Sequence, residues 1–393
     1  MNGYNKQTTT VIRIIEDIFI IDTIYRHENQ LTLNLRCRYE RSKSLSIIEE
    51  RLKTAGYTYE LTEQDGFVIL SLNPNADFKI PKLNIILFFI TLFSVYIVPV
   101  FYKQYIFFVT FRLEQFMLAH NIPFDIEFSF WEELKFNFMM IPDVTSLTLE
   151  ALSHGAGLMF TVAMISILFC HEMGHFISSR RRDIITSWPY FIPAPNIIGT
   201  FGAIIKSKSP FWNRNDLVHV GAWGPIAGWV VALFFLIFGL TQSSILPAEQ
   251  LLPFEGFSLS GESLLMKFLT LQLLGAVPEG FFYRLSEAAF AGWVGLLVTS
   301  INMLPIGQLD GGHVLYGLTK KTQHILGYIA LAGLLFLGFQ SNIWWFFAVF
   351  GIVFGVKHPP TLNDHKQLDR NSTMIAIVAI IILVVSFTPV PFE

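Results

Sequence analysis

Leu83–Phe101 is a run of apolar and aromatic residues without a single charge. A segment of that kind crosses a hydrocarbon layer only as a helix, because each backbone N–H and C=O must find its partner inside the segment. The same constraint recurs along the chain. Residues 156–178, 216–240, 285–306, 323–339, 342–356 and 373–390 are further apolar runs, and they predict a polytopic α-helical membrane protein of about seven spans. Composition agrees: 52% of the 393 residues are hydrophobic and 15% charged, where soluble domains carry about a quarter charged residues. A net charge of -3 gives no case for binding nucleic acid. The two cysteines, Cys37 and Cys170, lie in unlike regions and form neither a disulfide framework nor a CxxC metal site.

Residues 1–80 are of another kind, charged and short in period. Val11–Ile18 reads as a helix, Phe19–Tyr25 and Leu31–Tyr39 as strands about the turn His27-Glu28-Asn29-Gln30, and Ser44–Ala55 as a second helix. Tyr57–Leu61 and Phe67–Leu72 read as a hairpin about Gln64-Asp65-Gly66. The expectation is a small soluble α/β domain, either inert or acting as a gate or sensor, joined by a linker over Pro74–Pro81 to a core spanning 81–393. Met1–Thr10 lacks an apolar signal core and the Arg-rich, acid-poor character of a transit peptide, so no cleaved leader is expected. On that ground a bacterial plasma membrane is the expected location.

Between the apolar runs, residues 103–153 alternate aromatic patches with acids and predict an interfacial or extramembrane segment, and 241–284 forms another acid-containing loop. Residues 184–211, with Pro189, Pro193, Pro195 and Gly199-Thr200-Phe201-Gly202, are too short and broken to span and suggest a re-entrant β-hairpin. Lys79, Lys82, Arg180–Arg182, Lys206, Lys208, Arg214, Lys320, Lys321, Lys357 and Lys366 fall on one side of the seven-span layout. The positive-inside rule makes that side cytoplasmic, with the N-terminus on it.

Within the second run lies His171-Glu172-Met173-Gly174-His175. Two histidines four apart share a helix face and can hold one metal, while the glutamate between them can take a proton from a metal-bound water. Ionisable groups at membrane depth cost roughly 2.5–3.5 kcal/mol each on insertion scales, which favours a functional reading over an incidental one. Zinc chemistry needs a third protein ligand and an open position. Asp310 fits best, as the only acid in the apolar stretch from Ala288 to Leu318; otherwise it is a helix cap before Gly311-Gly312. Those glycines let the chain turn sharply and aim the carboxylate inward. His313 is read as a loop histidine, and His154, His219 and His324 as interfacial. Asn302 either donates to a substrate carbonyl or bonds a neighbouring helix. Gly224-Pro225-Ile226-Ala227-Gly228 is a small-residue pattern for close helix approach.

The pentad, the later Asn302-x-x-Pro305-x-x-x-x-Asp310-Gly311 and the intervening Gly224–Gly228 together resemble the site-2 protease family of intramembrane zinc metalloproteases. Pro189–Pro195, Gly199–Ala203, His358-Pro359-Pro360 and Phe387–Phe392 are similar to the branch containing the plastid ethylene-dependent gravitropism-deficient yellow-green proteases and bacterial relatives. The resemblance implies one Zn²⁺ per chain on His171, His175 and Asp310, Glu172 as catalytic base and Asn302 in substrate binding. It also implies a transmembrane protein as substrate, cut near the cytoplasmic face. Membrane lipid is the expected surrounding, and a homodimer is one open oligomeric state. No PDZ-like insertion is visible in 241–284, which moves any regulation to residues 1–80. The rival readings are a polytopic metal-binding transporter, against which stands the lack of an internal repeat, and a non-catalytic membrane scaffold.

Overall fold

The computed structural model describes residues 6–391, apart from 28–29, 55–57, 65, 74–79, 121–129, 183, 185, 208–210, 252–255, 258–261 and 362. Most of the expected linker, 74–79, therefore lies outside the described residues, as do parts of both N-terminal turns.

The N-terminal unit runs α1 (Lys6–Ile15), β1 (Phe19–His27), β2 (Gln30–Cys37), α2 (Arg41–Thr54), β3 (Thr58–Gln64) and β4 (Phe67–Asn73). Its strands form one antiparallel sheet in the order β1-β2-β4-β3. Leu31, Leu33 and Leu35 alternate along β2, and Val68, Leu70 and Leu72 along β4, so each strand turns one apolar row to the same face. Val11, Ile14 and Ile15 of α1 with Ile48 and Leu52 of α2 cover that face. The cluster continues into Ile184, Trp212 and Val220, with Phe211 at its edge, all of which belong to the helical part of the chain.

The helical part runs α3 (Lys82–Phe111), α4 (Leu113–Ala119), α5 (Phe130–Ser153), α6 (Leu158–Arg181), β5 (Tyr190–Pro193), β6 (Thr200–Ile204) and α7 (Arg214–Leu240). Then follow β7 (Ser244–Pro247), β8 (Gly256–Phe257), α8 (Leu264–Leu273), β9 (Phe281–Arg284), α9 (Glu287–Asn302), α10 (Asp310–Thr319), α11 (Gln323–Leu337), α12 (Ile343–Phe354) and α13 (Arg370–Ser386). Among the described residues three helices, α3, α6 and α7, are long and apolar enough to cross a membrane. The chain is an integral membrane protein on that ground. The other four expected spans correspond to shorter helices: α9 has 16 residues, α11 15, α12 12 and α13 17. The apolar runs are longer than the helices inside them because run ends such as Met303–Ile306 and Phe387–Val390 leave the helix without leaving the hydrophobic stretch. In the other direction, α3 continues ten residues past Phe101, the end set by composition. The loop 241–284 holds an unforeseen sheet of order β7-β9-β8.

At the centre, α6, α7 and α9 pack on one another around Ile167, Leu168, Ala232, Leu236, Trp293 and Leu296. The Glu287 carboxylate of α9 accepts from the Gly157 N–H at 2.7 Å, supplying α6 with the cap its own sequence lacks. At the other end of α6, Arg182 pairs with Asp216 at 2.7 Å, and Asn213 caps α7 through the N–H groups of Asn215 and Asp216. β5 and β6 form the expected hairpin. It lies against α3, where the Asn84 amide donates to the carbonyls of Trp188 and Pro189 and the Ser94 hydroxyl donates to that of Ala194.

Candidate metal centre

His171 and His175 sit one turn apart on α6, as their spacing requires, and Asp310 begins α10. Their ligand atoms form a near-equilateral triangle: 3.2 Å from His171 Nε2 to His175 Nε2, and 3.3 Å from each of those nitrogens to Asp310 Oδ2. A tetrahedral ion with ligands at about 2.0–2.1 Å needs ligand-to-ligand edges of about 3.3–3.4 Å, so the three groups fit zinc with one position left open. The second nitrogen of His175, Nδ1, donates to the Val220 carbonyl at 2.7 Å. This bond fixes the tautomer and turns the Nε2 lone pair toward the other two ligands. No other group of three or more such side chains is positioned for a metal among the described residues.

Glycines make this approach possible. A Cβ on Gly224 would fall on the His175 imidazole, and one on Gly228 would stand 3.0 Å from His171 Nδ1. A Cβ on Gly174 would meet the Trp223 backbone. The Gly224–Gly228 pattern therefore brings the α7 backbone against both ligand rings, which is a more specific task than helix association alone. Gly311 and Gly312 act in the same way, with carbonyls of Met303 and Gly307 where their side chains would be. The sharp turn expected there is instead placed at Gly307, whose φ is +53°. Asp310 is thus held by close packing of its loop rather than by torsional freedom at Asp-Gly-Gly.

Glu172 is buried at 5% exposure beside His171 and is not one of the three grouped ligands. Asn302 ends α9, half-buried, next to Met303 whose carbonyl abuts Gly311. Its side chain makes no hydrogen bond among the described residues, so the helix–helix bond weighed as its alternative role is not formed. His154 is exposed at the end of α5 and His324 half-buried at the start of α11. His219 is buried near the start of α7, with Arg182, Asp216 and Asp369 near it. His313 is no loop residue: it lies on α10 and its Nδ1 is 2.6 Å from His358 Nε2. His358 was not among the expected site residues, and only its place in His358-Pro359-Pro360, part of the likeness to the plastid branch, marked it.

Residues 159–340, which hold all these groups except His154 and His358, match the family model described as Peptidase family M50. Over those residues the chain is similar to M50 peptidases. The chain is 32% identical over 240 residues to the protein named "Probable zinc metalloprotease EGY1, chloroplastic" of Arabidopsis thaliana, covering 60% of this chain and 43% of that one. The protein named "Probable zinc metalloprotease EGY2, chloroplastic" of Oryza sativa subsp. indica is 31% identical over 255 residues, 62% of this chain and 44% of its own. The chain thus spans less than half the length of these curated relatives. No solved structure matches it significantly.

Proposed function

We propose that the chain is an intramembrane zinc metalloprotease that hydrolyses a peptide bond in or near transmembrane segments of other proteins. The observation that carries this reading is the convergence of His171, His175 and Asp310 at 3.2–3.3 Å on an apolar helix that also buries Glu172. Zinc, when bound there, would acidify a water toward a pKa of about 7 and polarise the scissile carbonyl. Glu172 is the base: a buried carboxylate in an apolar helix has a large cost and is retained for chemistry. Asn302, without a hydrogen-bond partner among the described residues, is available to donate to the substrate carbonyl.

The β5–β6 hairpin is the proposed docking edge. β6 has β5 on one side and no strand on the other among the described residues, and Phe201 and Ile204 are 67% and 56% exposed. A Cβ on Gly199 would strike Ser94 and Val95, about twelve residues into α3 and hence about 18 Å along it, which supports a re-entrant placement. An unwound substrate segment pairs with that edge, as a peptide bond must be extended before water reaches it.

The seven-span layout, with the N-terminus and the α6 end of the site on the cytoplasmic side, rests on the distribution of Lys and Arg. Part of the same proposal is a bacterial plasma membrane, while the relatives' names carry the word chloroplastic; fractionation of source cells decides between them. Residues 1–80 are proposed as a regulatory domain, supported by the continuity of their core with Val220, whose carbonyl orients His175.

The test is Glu172→Gln. It should keep folding and stoichiometric zinc, and lower cleavage of a quenched-fluorescent single-span peptide in phosphatidylcholine vesicles by about 10²–10⁴-fold. Cleavage at the unaltered rate would overturn the mechanism.

A further inference from the structure

A strap, of which 355–361, 363 and 364 are described, crosses the Asp310 loop and is fastened to it by several bonds. Gly307 N–H donates to the Val356 carbonyl at 3.0 Å. The buried Gln323 amide donates to the carbonyls of Pro305 and Val356, each at 3.0 Å, and accepts from the His358 N–H at 3.2 Å. His358 is thereby set beside His313, one turn along α10 from Asp310, while Tyr316 lies against the His358 ring at 4.7 Å and donates to Asp364 Oδ2 at 2.6 Å.

The order of bonds settles the protons. The Pro359 carbonyl can only accept, so His358 Nδ1 carries hydrogen. Burial holds the His358 imidazole down at about 4, so it is neutral at ordinary pH and its Nε2 is an acceptor. The 2.6 Å contact is then a bond donated by His313 Nδ1–H. In neutral His313 this leaves Nε2 as a lone pair, and no partner meets it among the described residues. His313 starts close against α7, where a Cβ on Gly221 would meet His313 Cβ at 2.6 Å and the Asp310 carbonyl at 3.1 Å.

We propose that His358 is a positioning residue that locks His313 as the Nδ1-protonated tautomer, so that His313 Nε2 accepts a hydrogen bond from a backbone N–H of the bound substrate. This rests on the protease reading above. An extended peptide offers N–H groups that need an acceptor once water is excluded, and a neutral imidazole fixed beside Asp310 supplies one without adding a charge. The strap thus extends the site beyond the matched domain, to residue 358.

The experiment uses the full chain with ¹⁵N-labelled histidine, together with cleavage of the same single-span peptide in phosphatidylcholine vesicles. In the unaltered chain, the ring shifts should show His313 protonated at Nδ1 only. His358→Leu should give mixed His313 tautomers and reduce kcat/KM about 10–100-fold with zinc content unchanged. His358→Gln, whose amide oxygen can accept from Nδ1–H, should restore a single tautomer and most of the activity. His313→Ala combined with His358→Leu should be no slower than His313→Ala alone. Equal activity of the Leu and Gln variants, or additive losses in the double variant, would overturn the proposal, since a merely structural role predicts neither rescue nor coupling. An unaltered chain that cuts the peptide while His313 is already of mixed tautomer sinks this inference alone. Failure of the unaltered chain to cut, with zinc bound, counts against the protease reading from which the substrate bond follows.

Discussion

In the N-terminal unit β1 pairs with β2 and β3 with β4, each its neighbour in sequence, and β2 with β4 is the one longer-range pairing among the described strands, from Leu31 to Leu72 at its widest. The metal centre instead joins α6 to Asp310, which lies 135 positions beyond His175. The two regions also fail differently. In the N-terminal unit, shape comes from filling a sheet face with Leu, Ile and Val, so it is sensitive to what is taken away. Around His171 and His175, shape comes from residues with no side chain, so it is sensitive to what is added.

The largest expected effect on the metal follows from the second half of that contrast. Gly224→Ala places a carbon on the His175 ring, and overpacking of this kind typically costs about 1–3 kcal/mol in a core. Here it also displaces a ligand, so zinc retained after dialysis should fall at least tenfold while the N-terminal unit stays folded. Full zinc occupancy in that variant would break the comparison. The same change at Gly275, where an added Cβ meets nothing, should leave zinc unaltered.

Removal should have its strongest effect in the other region. Leu70, fully buried on β4, should cost about 2–5 kcal/mol as Leu70→Ala, read as loss of hydrogen-exchange protection across β2 and β4. Zinc content should be little changed in the same preparation. The smallest effect belongs to Arg36→Ala. Arg36 and Asp22 pair at 2.7 Å with side chains 57% and 36% exposed, and a pair so open to solvent is worth at most about 0.5 kcal/mol. A loss above about 1 kcal/mol in urea unfolding would show that charges shape the sheet as much as its apolar row does.

The contrast also explains what could be read from the residues in advance. Alternation in Leu31–Leu35 and the turn signals around it placed the N-terminal strands within a few residues, because those determinants are local. The pentad and Asp310 were legible for a different reason: a carboxylate and two histidines are conspicuous in apolar surroundings. The His358 bond to His313 was not, since nothing near His358 tells which helix it will meet. Span lengths differed for a related cause: hydrophobicity shows which residues avoid water, and it runs on past the last helical residue of α9 into Met303–Ile306.

Val220 belongs to both regions at once. Its side chain is part of the apolar cluster of the N-terminal unit, and its carbonyl receives the Nδ1–H of His175. Thermodynamic reciprocity then binds the two regions together: whatever factor a docked N-terminal unit adds to metal affinity, the metal must return to the affinity of docking. A chelator and a truncation are therefore two handles on a single equilibrium, and the strength of that coupling can be measured from either end.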